Sequence, residues 1–328
     1  MIRQVHIRNF KTLKDLRFSC TRMNLFIGDT NTGKSNILEA LTLFSRGALR
    51  AHKLDQRLIR YDRPEDLFTL RDLSEPISVD IGSLRATLAY NSGRFNLEVE
   101  ERKTAHAKPV KLAEARMDAQ GTVEPENLQF TTYVRRYQYF PDTPFGPNAM
   151  KELEPPDGPN LPGLLASNKE LRTRMAAILE RAGLRLEVNL SENTIRLSQL
   201  TDDHVVVTLP YRNLSDTIKR YLFMYAVLET VKGFSLLFDE PEQNTFPFYT
   251  KHMAEMMALD NGNQYFITTH NPYLFRSVVE KTLAKDLSVF ITHLNIDGAT
   301  QLKRLNQKEL SELLDMDVFF NIQRFLEP

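Results

Sequence analysis

The stretch Gly28-Asp29-Thr30-Asn31-Thr32-Gly33-Lys34-Ser35 has the Gly-x-x-x-x-Gly-Lys-Ser spacing of a phosphate cradle. Its glycines let the main chain curl so that successive N–H groups face phosphate oxygens, and a helix starting at the loop's end adds its positive terminus. Lys34 can reach terminal phosphates, and the Ser35 hydroxyl suits a Mg²⁺ ion. A short apolar strand, Asn24 to Ile27, precedes the loop, and helical spacing from Lys34 to Ser45 follows it. A glycine-rich turn that merely joins strand to helix does not account for the pattern and its setting together.

Two further stretches carry chemistry. In Phe234-Ser-Leu-Leu-Phe238-Asp239-Glu240-Pro241-Glu242 an apolar strand ends in carboxylates, at the edge where parallel sheets bind ligands. Asp239 would orient Mg²⁺ and its waters, and Glu240 would polarise an attacking water as general base. In Phe266-Ile-Thr-Thr269-His270-Asn-Pro another apolar strand ends in a histidine, which suits a group that senses the terminal phosphate. The other histidines, His6, His52, His106, His204, His252 and His293, share no spacing and read as structural.

These residues need a sheet whose strands end together. Ile2 to Ile7 and Lys14 to Phe18 read as strands before the glycine loop. A charged segment, expected to be helical, runs to Leu73; the alternation in Ile77 to Ile81, Leu84 to Tyr90 and Phe95 to Val99 then predicts an antiparallel meander. Arg102 to Asn127 loses periodicity and reads as a surface excursion. Phe130 to Phe140 reads as a strand. Ser167-Asn-Lys-Glu170 has the form of a capping box, and Leu171, Met175, Ile178, Leu179 and Ala182 share a helical face up to Gly183. Short strands are expected at Arg185 to Asn189, Thr194 to Ser198 and Val205 to Leu209. Strands and helices then alternate: Ser215 to Val231 helical, Phe234 to Asp239 strand, Phe248 to Leu259 helical, Gln264 to Thr268 strand, Pro272 to Glu280 helical, Leu287 to His293 strand. That order implies a largely parallel sheet covered by helices.

Composition narrows the function classes. Lys plus Arg number 42 and Asp plus Glu number 42, so no overall field draws the chain to nucleic acid or membrane. The one cysteine, Cys20, excludes an internal disulfide and reads as a small buried group in a reducing compartment. Apolar runs such as Leu236-Leu-Phe238 fall far short of the roughly 20 residues that span a bilayer. With no signal-like N-terminus, a soluble cytoplasmic protein is expected.

Three features together, "IRNFKTLKD", "GDTNTGKS" and "LLFDEPE" with "ITTHNPY", resemble the ABC-type ATPase heads of the SMC, RecF and OLD kind. The resemblance covers the first forty-five residues and Leu214 onward well. It implies an α/β head with a mixed sheet, antiparallel in its N-terminal part and parallel in its core, with an inserted helical lid. The expected division is 1–100 with Walker A, 101–204 as insertion or lid, and 205–328 with signature, Walker B and switch histidine. ATP and Mg²⁺ would be the cofactors. Gly28, Asp29, Thr30, Asn31, Thr32, Gly33, Lys34, Ser35 and Asn36 would hold nucleotide, with Lys11 and Ser215 contributing. Ser35 and Asp239 would hold the metal, while Lys34, Glu240 and His270 would serve catalysis.

Relatives of this kind close face to face on ATP, which implies a homodimer or a higher even oligomer. "NLSDTIKRYLFMYAVL", Asn213 to Leu228, stands at the signature, with Ser215 and Arg220 in place and Thr217 where a glycine is usual. Its bland alternative is an ordinary capped amphipathic helix. Gln243 to Pro247 occupies the D-loop position but departs from the OLD-like pattern, and Asp66-Leu-Phe68 is the neighbourhood for a Q-loop residue. Asp315-Met-Asp317 offers paired carboxylates for a nuclease metal site, yet too little chain follows for a nuclease domain; the pair is expected on the polar side of a terminal helix. Hydrolysis gating a separate effector, in antiviral defence or DNA maintenance, is the leading expectation. An ATP-locked scaffold that hardly turns over is the alternative, and a small-molecule P-loop kinase ranks last. DNA contact rests on two features: the basic run Arg46, Arg50, Lys53, Arg57, Arg60, and Arg135-Arg136 among Tyr133, Tyr137 and Tyr139.

Overall fold

The computed structural model describes residues 1–45, 48–50, 53–103, 108–127, 132–146, 151–181 and 183–326. Strands β1 (Gln4–Phe10) and β2 (Leu13–Ser19) form an antiparallel pair whose alternating residues Val5, Ile7, Leu16 and Phe18 face inward. The next strand, β3 (Met23–Gly28), is buried throughout, so its sequence shows a continuous apolar run. It leads into helix α1 (Lys34–Thr42).

Beyond α1 the described residues up to Leu73 do not form the expected helix. A two-strand ladder, β4 (Leu49–Arg50) with β5 (Lys53–Leu54), is followed by 3₁₀ turns at Pro64–Leu67 and Thr69–Arg71. The residues here lack a 3.6 apolar period, and Pro64 starts a turn. The meander follows as expected: β6 (Ile77–Ile81), β7 (Leu84–Asn91) and β8 (Arg94–Glu101). The supposed surface excursion is not one. It contains β9 (Val110–Met117) and β10 (Val123–Asn127), which complete a seven-stranded sheet in the order β10-β9-β8-β7-β6-β1-β2. The buried positions of β9 are Ala113, Ala115 and Met117, two of them too small to register as an apolar period.

Among the described residues of the Phe130 to Phe140 region there is a short strand alone, β11 (Val134–Arg136). Helix α2 (Leu161–Ser167) was not expected. It ends at Ser167, so Asn168, not Ser167, caps α3 (Lys169–Glu180) by accepting the Leu171 N–H at 3.0 Å. Gly163 inside the short apolar turn masks α2 in the sequence. A separate three-stranded sheet, β12 (Arg185–Asn189), β13 (Thr194–Leu200) and β14 (Val206–Pro210), precedes helix α4 (Asp216–Thr230).

The final third follows the expected alternation: β15 (Ser235–Asp239), α5 (Pro247–Leu259), β16 (Gln264–Thr268), α6 (Pro272–Lys281), β17 (Leu287–Leu294), then β18 (Thr300–Arg304) and α7 (Gln307–Leu314). A six-stranded sheet runs β11-β15-β16-β3-β17-β18, parallel except for β18. Its faces belong to different cores. Leu25, Ile27, Leu236 and Phe238 pack with α4, α5 and α6, whereas Phe26, Leu237, Phe266 and Phe290 pack with α1 and the seven-stranded sheet. Phe18, Phe26 and Phe290 join the two sheets through ring contacts of 5.3–5.6 Å. Among the described residues no helix is long and apolar enough to cross a membrane. Arg46, His52, His106, Phe130 and Ala182, and the side chain of Arg50, lie outside the described residues.

Candidate nucleotide site

The glycine loop leaves β3 at its carboxyl end. Gly28, Asn31 and Gly33 have φ of 149°, 58° and 92°, the conformations that let main-chain N–H groups converge. The two glycines also admit the neighbouring hairpin. A Cβ on Gly28 would lie 2.3 Å from Thr292 Oγ1, and one on Gly33 would lie 2.1 Å from Thr300 Oγ1. Helix α1 starts directly from Gly33 with no side-chain cap, leaving first-turn N–H groups of the kind a phosphate satisfies. Thr32 donates to the Asp29 carbonyl at 2.8 Å, and Asn36 donates to Thr12 Oγ1 at 2.9 Å. Asp29 Oδ1 receives the Thr30 N–H at 2.7 Å.

Lys34 is buried and donates to the carbonyls of Gly28 at 3.0 Å and Asp29 at 2.6 Å. Burial pushes its ammonium down to about 8, while Glu240, Asp29 and Asp239 pull the other way. Lys34 therefore shares its electrostatic environment with the carboxylates at the end of β15.

Asp239 collects three donors. Its Oδ1 receives Ser35 Oγ at 3.0 Å and Thr268 Oγ1 at 2.5 Å, and its Oδ2 receives Arg136 Nη2 at 3.2 Å. A hydroxyl and a carboxylate oxygen side by side are hard ligands that fit Mg²⁺ carrying several waters. Glu240 takes a left-handed φ of 46°, with its N–H on the Thr268 carbonyl at 3.2 Å. The turn brings Glu240 Oε1 to 3.5 Å from His270 Nε2. Burial, and then the Lys34 charge, hold the His270 imidazole below its ordinary range, against an opposing pull from Glu240. A neutral imidazole beside a carboxylate can accept or donate a proton at the same place.

Residues 1–133 match the family described as "AAA ATPase domain", and residues 151–276 match that described as "AAA domain, putative AbiEii toxin, Type IV TA system". An SMC head bound to the C-winged helix domain of ScpA is 12% identical, covering 95% of this chain and 99% of that one at a TM-score of 0.54. The chain has the fold of an SMC head. A second SMC head, with an extended coiled coil and bound to the C-terminal domain of ScpA from Pyrococcus furiosus, is 13% identical, covering 96% and 98% at 0.50. The recombination mediator RecF with ATP is 14% identical, covering 93% and 99%, at 0.45. No curated protein matches.

The segment expected as the signature forms the start of α4. Ser215 caps α4, its Oγ accepting the Ile218 N–H at 3.4 Å. Thr217 Oγ1 donates to the Asn244 carbonyl at 2.8 Å, and the Arg220 guanidinium sits 4.8 Å from the Tyr139 ring centre. Most of α4 is buried, more than an ordinary amphipathic helix would be. Lys11 is not a solvated lysine. It donates to Glu39, whose side chain is fully buried on α1, and Arg60 Nε donates to the other Glu39 oxygen at 2.7 Å. Asp66 accepts the N–H groups of Asp62 and Arg63 and pairs with Arg71 at 2.7 Å.

Several basic residues read as DNA contacts make ion pairs within the chain. Without a helix the run from Lys53 has no common face; Arg57 pairs with Asp55 and Asp157, and Arg60 with Glu39. Arg135 lies over the Phe234 ring and binds Glu152 at 2.7 Å. Arg136, Tyr137 and Tyr139 are buried. Asp315 and Asp317 lie beyond α7, not on its polar side: Asp315 ends the helix, and Asp317 Oδ1 accepts the N–H groups of Phe319 and Phe320. Among the described residues no group of three or more His, Cys, Asp and Glu is placed to hold a metal.

Sequence reasoning missed Glu39 and read Arg136 as a DNA contact, not as a partner of Asp239. Arg136 donates to the Leu58 carbonyl at 2.7 Å and Thr42 Oγ1 at 3.2 Å as well as to Asp239. An arginine in a short apolar strand and a lone glutamate inside the apolar face of α1 were the available signals.

Proposed function

We propose that the chain binds Mg-ATP and hydrolyses it at the junction of the glycine loop, Asp239, Glu240 and His270. The observation that carries this reading is the convergence on Asp239 of Ser35, Thr268 and Arg136, with Lys34 in the same field. Both AAA family matches and the SMC-like fold support it. Bound Mg²⁺ would neutralise charge on the terminal phosphates. Gly28 to Asn36 hold nucleotide, Lys34 contributes positive charge, and Ser35 with Asp239 holds the metal. Arg136 keeps Asp239 oriented. Glu240 takes the proton of the attacking water, and neutral His270, 3.5 Å away, orients Glu240 and senses the phosphate.

Two heads close on ATP as a homodimer or higher even oligomer, each offering Ser215 to the other's phosphate, and the cycle gates a separate effector. The division into 1–100, 101–204 and 205–328 belongs to this reading. An antiviral or DNA-maintenance setting belongs to this reading as well. The test is phosphate release: the wild type turns over, and Glu240→Gln binds ATP but releases phosphate at least roughly 100-fold more slowly. An inactive wild type would overturn the reading. The ATP-locked scaffold is the second reading, favoured by the side chain of Thr217 at the signature; a wild-type rate abolished in Glu240→Gln removes it.

A further inference from the structure

The turn after Glu240 is fastened to the end of β16 by another carboxylate. Glu242 is buried, and its Oε1 receives both the Thr269 hydroxyl at 2.6 Å and the His270 N–H at 3.3 Å. Thr269 Oγ1 in turn accepts the Asn271 N–H at 3.0 Å, so the bonds run through the residues on either side of the histidine. Oε2 has no hydrogen-bond partner among the described residues. Burying a carboxyl with one oxygen unmatched is costly, and all its hydrogen bonds go to the segment that carries His270. The imidazole itself is lightly held: Glu240 lies at 3.5 Å and the Phe319 ring centre at 6.2 Å.

We propose that Glu242 is a positioning residue for His270, holding the histidine at the terminal phosphate through the Thr269 hydroxyl before it and the histidine's own N–H. This rests on the ATPase reading. Glu242 fastens the end of β16 to the Walker B turn, so the base Glu240 and the sensor His270 keep one spacing. Burial pushes the Glu242 carboxyl up to about 7, which fits an uncharged anchor more than an ion pair.

The experiment compares steady-state Mg-ATP hydrolysis by the wild type, Glu242→Gln, Glu242→Met, His270→Ala and the Glu242→Met/His270→Ala double variant. Glu242→Gln keeps an acceptor oxygen and should stay within about threefold of wild type in kcat. Glu242→Met should lose roughly 10- to 100-fold in kcat with little change in KM. In the His270→Ala background the same change should cost almost nothing further, because the two residues act as one unit. An unchanged kcat in Glu242→Met, or an equal fold loss with and without His270, overturns the proposal. Should Glu242→Met fail to fold, Thr269→Val removes the hydroxyl donor and is read in the same cycle with the same outcomes. An inactive wild type refutes the ATPase reading itself; an active wild type with an indifferent Glu242→Met refutes only the role of Glu242.

Discussion

Thr217 donates its hydroxyl to the main-chain oxygen of Asn244 at 2.8 Å, joining the first turn of α4 to the loop after β15 within one chain. Asn244 is held there at a φ of 57°. A glycine at position 217 could not make this bond. Thr217→Val deletes the donor at nearly constant volume, and one neutral hydrogen bond is worth about 1 kcal/mol, or near fivefold. We expect hydrolysis to fall about fivefold while ATP affinity of the separate head changes less than about twofold. Phosphate release measured against protein concentration, beside nucleotide titration, checks it. Equal losses in both would sink the idea.

Arg136 is more deeply buried than its partner Asp239, and it also serves Thr42 and the Leu58 carbonyl. Removing one partner of a buried pair costs about 3–5 kcal/mol. Arg136→Met should therefore lower unfolding free energy by about 3 kcal/mol in urea titration and weaken Mg-ATP binding. A variant as stable as wild type would show that the pair contributes nothing net.

Glu39 has a fully buried side chain between Lys11 and Arg60. Burial already holds the Lys11 ammonium below its usual range, and Glu39 opposes that pull. Glu39→Leu should lower the melting temperature by several degrees. Adding Lys11→Met, which removes the stranded charge, should restore at least half of the loss. Additive losses in the double variant would contradict the pairing.

Glu242 gives stability a pH dependence with a definite sign. Its folded-state value, about 7, lies above the ordinary carboxylate value of 4.5. Between those values the folded chain binds a proton that the unfolded chain has lost, so this contribution is full at lower pH and declines as pH rises through 7. Glu242→Gln cannot titrate. Melting curves without nucleotide should show wild type losing a few degrees relative to Glu242→Gln between pH 5 and pH 8. Parallel curves over that range would contradict a raised Glu242.

The motif residues were legible because each is local: Gly28 to Ser35, Phe234 to Glu240 and Phe266 to His270 each carry their strand, turn and chemical group in one stretch. Buried strands such as β3 and β16 announced themselves as apolar runs. Strand β9 did not, because Ala113 and Ala115 fill its inward positions and carry little hydrophobic signal. Arg136 and Glu39 were opaque for another reason. Their partners, Asp239 and Lys11, are distant in sequence, and a charged residue looks solvated until its counter-ion is located. The same holds for Arg57 and Arg60, which remain partly exposed yet pair with Asp157 and Glu39, distant in sequence.

Thr292 and Thr300 stand so close to Gly28 and Gly33 that the loop takes its shape against β17 and β18. During synthesis the N-terminal loop therefore waits for residues from the last part of the sequence before it acquires its final curvature. A nascent polypeptide halted before Thr300 would carry every letter of the phosphate motif and still lack the wall that moulds it, so nucleotide capture would report that β17 and β18 have docked.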